Sequence, residues 1–205
     1  MIINSESLAD QVYSWLKSEI LKGNIKGGEK SSEESLASKL GVSRTPIREA
    51  LKRLSEYGIV AITPRSHAVV IKITDKDAEQ IAKFRICLEN FALDSLNVDV
   101  FKSKLNSLKT LASKVDEANS KGNRDKSFEI DSKFHSEIIS CTCCAPLLDA
   151  YNRLSARIQL LRLNQDLYGE ELAFFLAQHN TILQLIDEGK IEEAKTLQTY
   201  HILHH

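Results

Sequence analysis

The sequence predicts a mainly α-helical protein in two parts, an N-terminal winged helix-turn-helix and a C-terminal all-α bundle. Three observations carry that prediction. The first is a break between two apolar-periodic segments at Gly41-Val42-Ser43, followed at once by Arg44-Thr45-Pro46-Ile47-Arg48-Glu49-Ala50-Leu51. The second is a pair of β-type runs, Ile59 to Thr63 and Ala68 to Ile73, joined by Pro64-Arg65-Ser66-His67. The third is the pattern after Thr74, where apolar residues recur at helical spacing and the single proline, Pro146, interrupts none of the helices.

In chain order, residues 5–22 form the first helix, with Ser5 able to cap it and Leu8, Val12, Trp15, Leu16 and Ile20 on its apolar side. Gly23, Gly27 and Gly28 end it. Ser32 to Leu40 reads as a short second helix, and Gly41 suits the tight turn that follows. Ser43 can cap the third helix, and Pro46 falls in its first turn, where a missing N–H costs little. Ile47, Ala50, Leu51 and Leu54 share one side of that helix, while Arg44, Thr45 and Arg48 point elsewhere near its N-terminal end. A recognition helix inserts that end into the major groove. Arginine is the side chain best built to grip guanine edges and phosphates. On spacing alone the segment reads equally well as a solvated amphipathic helix. Gly58 ends it. Thr74-Asp75-Lys76-Asp77 marks the boundary between a part spanning 1–74 and a part spanning 75–205, and Thr74 or Asp75 can cap the next helix.

A chain of 205 residues can hold two small domains, each with its own core, and a hydrophobic share of 42% is ordinary for a globular protein. No apolar run approaches membrane-spanning length and no signal peptide opens the chain, so no membrane partner is expected. With four cysteines and no secretion signal, the expected setting is the cytoplasm, with reduced thiols. The net charge of −1 hides an asymmetry: residues 1–74 hold 11 Lys and Arg against 8 Asp and Glu. The mildly basic front suits a nucleic-acid partner; the acidic rear does not.

The rear part reads as helices only, near 76–96, 99–119, 125–140, 146–163, 169–188 and 190–203. On the first of these, Ile81, Phe84, Leu88 and Phe91 are expected to face inward. On helix 125–140 the apolar stripe is Phe128, Phe134 and Ile138, and Asp131 and His135 fall inside it, one turn apart. His179 sits at the centre of the stripe on helix 169–188, and His201 lies among Ile191, Ala194 and Leu197 on the last helix. Each imidazole alone is more often a hydrogen-bonded core residue. Together, one carboxylate and three imidazoles facing one core point to a divalent metal, since an unpartnered buried carboxylate is costly.

The run Glu33-x-x-Leu36-Ala37-x-x-Leu40-Gly41-Val42-Ser43-Arg44-Thr45-Pro46-x-Arg48-Glu49-Ala50-Leu51-x-x-Leu54 resembles the DNA-binding domain of the GntR family of bacterial transcription regulators, over roughly residues 5–73. That resemblance implies operator contacts from Ser43, Arg44, Thr45 and Arg48, with Arg65 and His67 on the wing. Two positions depart from the family pattern: Glu34 stands where many relatives carry a base-reading Arg, and His67 stands where the wing tip usually has Gly. Over roughly 75–203, Arg85-x-x-Leu88-Glu89, Asp131-x-x-Phe134-His135, His179-Asn180-x-Ile182 and His201 resemble the FCD effector-binding domain of the FadR subfamily. The resemblance implies that Asp131, His135, His179 and His201 hold zinc, or alternatively nickel or manganese, beneath a cavity for a small organic acid. Arg85 can neutralise a ligand carboxylate with a forked contact, or instead pair with Glu89 one turn on. Arg157 and Arg162 are weaker candidates for the same role.

Cys141, Cys143 and Cys144 do not have zinc-knuckle spacing and read as plain reduced thiols, with a redox or soft-metal input as the lesser alternative. His204 and His205 read equally as native residues or an appended tag, and neither is assigned as a ligand. The expected function is that of a homodimeric regulator on a palindromic double-stranded operator, controlled by a small carboxylate bound at the metal. Repression relieved by ligand is the commoner habit in that family. The alternatives are a constitutive DNA-binding regulator with a purely structural metal, and a metal-dependent hydrolase.

Overall fold

The computed structural model describes residues 6–63, 67–162 and 169–204. The chain divides into two compact units, residues 1–74 and 75–205. The first contains α1 (Leu8–Leu21), β1 (Lys30–Ser32), α2 (Glu33–Leu40), α3 (Arg44–Glu56), β2 (Val60–Thr63) and β3 (His67–Val70). The second contains α4 (Asp75–Asp94), α5 (Val98–Ser120), α6 (Arg124–Ser140), α7 (Ala145–Arg162), α8 (Gly169–Asp187) and α9 (Ile191–His204). This is the mainly α fold expected, a winged helix-turn-helix followed by an all-α bundle.

In the first unit, α1 starts at a capping box. The Ser7 hydroxyl accepts from the Asp10 N–H, and the Asp10 carboxylate accepts from the Ser7 N–H, so two orphan donors of the helix end are satisfied. The cap expected at Ser5 falls outside the described residues. Val12, Leu16 and Ile20 of α1 pack in one core with Ile47, Ala50, Leu51 and Leu54 of α3. Leu8, expected on that inner side, is exposed instead. Gly41 caps α2 at φ 65°, a left-handed conformation that leaves room for the tight turn into α3. Ser43 takes the N-cap position of α3, but its side chain makes no capping hydrogen bond. The three strands form an antiparallel sheet in the order β1-β3-β2, with Ser32 opposite His67 on one side and Thr63 opposite His67 on the other. β1 was not expected from the sequence. It is the polar triplet Lys30-Ser31-Ser32 and carries no apolar alternation to announce it.

In the second unit the helices follow the expected spans to within a residue or two. Asn97 and Asn123 cap α5 and α6 by accepting from the N–H groups of Val100 and Lys126. Leu93, Phe101, Leu108, Ala112, Phe134, Ile138, Ile182, Leu183 and Ile186 form the main core. The face of α4 needs correcting. Phe84 and Phe91 are 49% and 52% exposed, while Arg85 and Glu89 are buried with Ile81, Ala92 and Leu93. Periodicity placed the aromatics inside because Phe is the stronger apolar signal. A salt-bridged Arg and Glu that satisfy each other can occupy the inner face instead.

Candidate metal centre and DNA-reading face

Asp131 and His135 stand one turn apart on α6, His179 comes from α8 and His201 from α9. Asp131, His179 and His201 are 0% exposed and His135 is 1% exposed. One ligand atom from each lies within 4.8 Å of all the others. His179 Nε2 is 3.0 Å and His135 Nε2 is 3.4 Å from Asp131 Oδ1. Neither nitrogen makes a well-directed hydrogen bond. Donor atoms around an ion with bonds of ~2.1 Å sit ~3.0–3.4 Å apart, so these separations fit a shared cation. The donor set of three imidazoles and one carboxylate fits zinc, nickel or manganese.

The residues behind the ligands orient them. His135 Nδ1 is 3.1 Å from Glu89 Oε2 and 3.4 Å from the Gln198 amide nitrogen, so with Glu89 as acceptor the Nδ1 carries the proton and Nε2 presents a lone pair to the centre. His201 Nδ1 lies 3.3 Å from Gln178 Oε1, which imposes the same tautomer. Arg162 Nη2 meets Asp131 Oδ2 at 2.5 Å, leaving Oδ1 to the histidines. Phe134 packs its ring 4.3 Å from that of His179. Burial opposes charge on Asp131, but the Arg162 guanidinium and His135 hold its carboxyl well below the usual carboxylate range. His179 is driven the other way: burial lowers its pKa and favours the neutral imidazole, the form that coordinates.

Arg85 is only partly free for a ligand. Its Nε donates to Glu89 Oε1 at 2.6 Å, and that same oxygen accepts from the Tyr151 hydroxyl at 2.8 Å. Gln198 donates to Glu89 Oε2 at 2.5 Å. Burial pushes the Glu89 carboxyl up, yet Arg85 and His135 bring it down to about 2. One donor is left over: Arg85 Nη2 is buried and makes no hydrogen bond among the described residues. Arg157 lies apart from this network, 3.9 Å from Asp77. An open cleft of about 460 Å3 in this unit is lined by Leu93, Phe101, Lys102, Ile186 and Glu188 among others, and includes neither Arg85 nor a metal-ligand residue.

On the candidate DNA-reading face, Ser43, Arg44, Thr45 and Arg48 are all exposed at the N-terminal end of α3. Both arginines are held by the helix before the turn. Arg44 pairs with Glu34 at 2.8 Å. Arg48 makes a forked contact with both carboxylate oxygens of Glu33, which is nearly buried. The Arg44–Glu34 pair is exposed on both sides and contributes little, so Arg44 can exchange carboxylate for phosphate or base at small cost, whereas releasing Arg48 leaves the buried Glu33 carboxylate without its counter-charge. His67 opens β3 and is exposed; Arg65 lies outside the described residues.

Sequence reading missed Glu89, Gln198 and Gln178 as supports of the centre, and Glu33 and Glu34 as partners of the arginines. Their positions carried a signal. Gln198 precedes His201 by one helical turn, and Gln178 is adjacent to His179. Cys141 is buried and donates to the Glu137 carbonyl, while Cys143 is exposed in a left-handed conformation at φ 56°.

Residues 8–70 match the family of bacterial regulatory proteins known as gntR, and residues 80–204 match the FCD domain. The chain is 28% identical over 196 residues to an uncharacterized HTH-type transcriptional regulator, YdhC, of Bacillus subtilis (strain 168), covering 95% of this chain and 86% of that protein. It is 29% identical over 215 residues to the gluconate operon transcriptional repressor of the same organism, covering 97% and 83%. Its fold is similar to that of E. coli McbR/YncC, with a TM-score of 0.82 at 24% identity, covering 99% of this chain and 95% of that one. Both matched families and these relatives are transcription regulators, which removes the hydrolase alternative. The chain belongs to the GntR family of transcription regulators, in the branch whose C-terminal half is an FCD domain.

Proposed function

We propose that the protein is a homodimeric, cytoplasmic repressor that binds a palindromic operator and is controlled by a small carboxylate at a metal in its helical unit. The observation that carries this reading is the wholly buried Asp131, His135, His179 and His201 cluster, in which one ligand atom from each lies within 4.8 Å of all the others and His135 Nε2 and His179 Nε2 face Asp131 Oδ1. Such a cluster is costly to bury unless a cation completes it. Zinc is the first choice, with nickel or manganese as alternatives. A bound ion would supply open coordination positions to a carboxylate. Asp131 is aimed by Arg162, His135 by Glu89 and Gln198, and His201 by Gln178; Arg85 offers its spare Nη2 to the ligand.

Ser43, Arg44, Thr45 and Arg48 contact the operator, with Arg65 and His67 on the wing. Glu33 presets the guanidinium of Arg48. A palindrome is read by a two-fold dimer. Exposed Phe84, Cys87 and Phe91 form an uncharged stripe on the outer side of α4, and this stripe is the contact with a second copy. Repression is favoured by relatives whose names identify them as operon repressors. A constitutive regulator with a structural ion is the second reading, favoured by the complete burial of all four ligands. Elemental analysis with and without chelator, followed by a gel shift on the DNA upstream of the protein's own gene, tests both. Metal uptake with carboxylate-dependent release from DNA supports the sensing reading. Metal uptake with no response to any carboxylate supports the structural one. Protein that takes up no metal refutes both.

A further inference from the structure

We propose that the buried centre selects a small doubly charged anion, such as a dicarboxylate, over a singly charged one of the same shape. The inference rests on the reading of Asp131 and the three histidines as ligands of a divalent ion. Among the described residues of the helical unit, the buried Arg, Lys, Asp and Glu side chains are Arg85, Glu89, Asp131 and Arg162. They cancel in two contacts, Arg85 with Glu89 at 2.6 Å and Arg162 with Asp131 at 2.5 Å. Without an ion, and with the imidazoles neutral, the charges of this set balance, although His135 Nε2 and His179 Nε2 are left unsatisfied. A divalent ion on three neutral imidazoles and Asp131 adds two positive charges that no buried side chain among the described residues offsets.

Charge left uncompensated in a dry core is strongly disfavoured, so the balance has to come from outside. Tyr151 cannot provide it as a phenolate. Its hydroxyl donates to Glu89 at 2.8 Å, and burial beside that carboxylate holds the proton on. A monoanion offsets half of the excess; a dianion closes it. The spare Nη2 of Arg85 gives the second carboxylate a donor, one carboxylate removed from His135 through Glu89. Two anionic groups thus answer two distinct demands, the ion's open positions and the unpartnered arginine donor.

The test is titration calorimetry on full-length, zinc-loaded protein with malonate, with its shape-matched monoanion malonamate, and with sulfate as an inorganic dianion. Ionic strength is fixed, and zinc content is read by elemental analysis on the same sample. Malonate should bind once per subunit and at least about tenfold tighter than malonamate, because only it neutralises both charges. Sulfate binding as tightly as malonate supports the charge argument and assigns an inorganic ligand. In Arg162→Met, with zinc still bound, one buried positive charge is gone and the preference for malonate should narrow severalfold. Equal affinity for malonate and malonamate with zinc bound overturns the inference but leaves the metal reading standing. Bound zinc with no binding of any anion overturns both the inference and the sensing role. Protein that holds no zinc ends the metal reading and the inference with it.

Discussion

Replacing Glu89 with Ala should destabilise the helical unit by about 3–5 kcal/mol, the cost of stranding a buried charge. Glu89 receives Arg85 Nε at 2.6 Å, the Tyr151 hydroxyl at 2.8 Å and the Gln198 amide at 2.5 Å, and faces His135 Nδ1 at 3.1 Å. The dominant loss is the counter-charge of Arg85, which is 3% exposed and cannot turn out to solvent without leaving the core. At ~2–4 °C per kcal/mol for a chain of this size, the expected fall in Tm is ~6–20 °C. The double variant Arg85→Met, Glu89→Met removes both charges and should be less damaged than the single one, because no ion is left stranded. The assay is guanidinium unfolding of chelator-treated protein followed by far-UV circular dichroism. Trp15, the sole tryptophan, lies in the first unit and gives an internal fluorescence reference. A single variant within about 1 kcal/mol of the parent, or a double variant worse than the single, would refute the stranded-charge argument.

His179→Ala should abolish metal retention in elemental analysis, since its Nε2 lies 3.0 Å from the central Asp131 oxygen; full retention would remove it from the ligand set. Arg48→Ala should weaken specific operator binding by about 1–3 kcal/mol in a gel shift, and unchanged affinity would move the reading contact elsewhere on the unit. Phe84→Asp with Phe91→Asp should shift sedimentation from dimer to monomer, because the change places like charges on the exposed stripe of α4; an intact dimer would exclude that face as the interface.

Much of the architecture was legible because helix periodicity, glycine punctuation and the Gly41-Val42-Ser43-Arg44 turn all point the same way. Gly41 needed its left-handed φ, and the sequence supplied the residue that adopts it most cheaply. The four metal-centre residues could be grouped because each interrupts an apolar stripe at an inward position. What stayed hidden has a common cause. β1 is three polar residues stabilised by pairing with β3 across a long sequence gap, and no local pattern encodes that pairing. The inner face of α4 was misread because a buried ion pair at i and i+4 looks, in sequence, like an ordinary solvated pair. The Ser43 cap was chosen on residue preference, whereas the hydroxyl's geometry decides whether the hydrogen bond forms.

α4 draws the separate strands of the functional reading together. It is the first helix after Thr74, so the chain leaving the DNA-binding unit enters the bundle through it. Its inner side carries Arg85 and Glu89, and Glu89 bears directly on His135. Its outer side carries the exposed Phe84 and Phe91. The helix thus takes an ion pair inside beside Ile81, Ala92 and Leu93, and leaves two aromatics outside. Both features are disfavoured in a lone domain, where apolar side chains gain by burial and charges lose by it. The proposed function gives each side a partner, an ion and its anion within the core and a second copy on the surface. On that proposal, a ligand that draws Arg85 away from Glu89 would change the balance on the inner side of the helix whose outer side is the proposed contact with the second copy. Signal transfer from effector to operator would then require no long relay through the bundle, only a small shift of one helix.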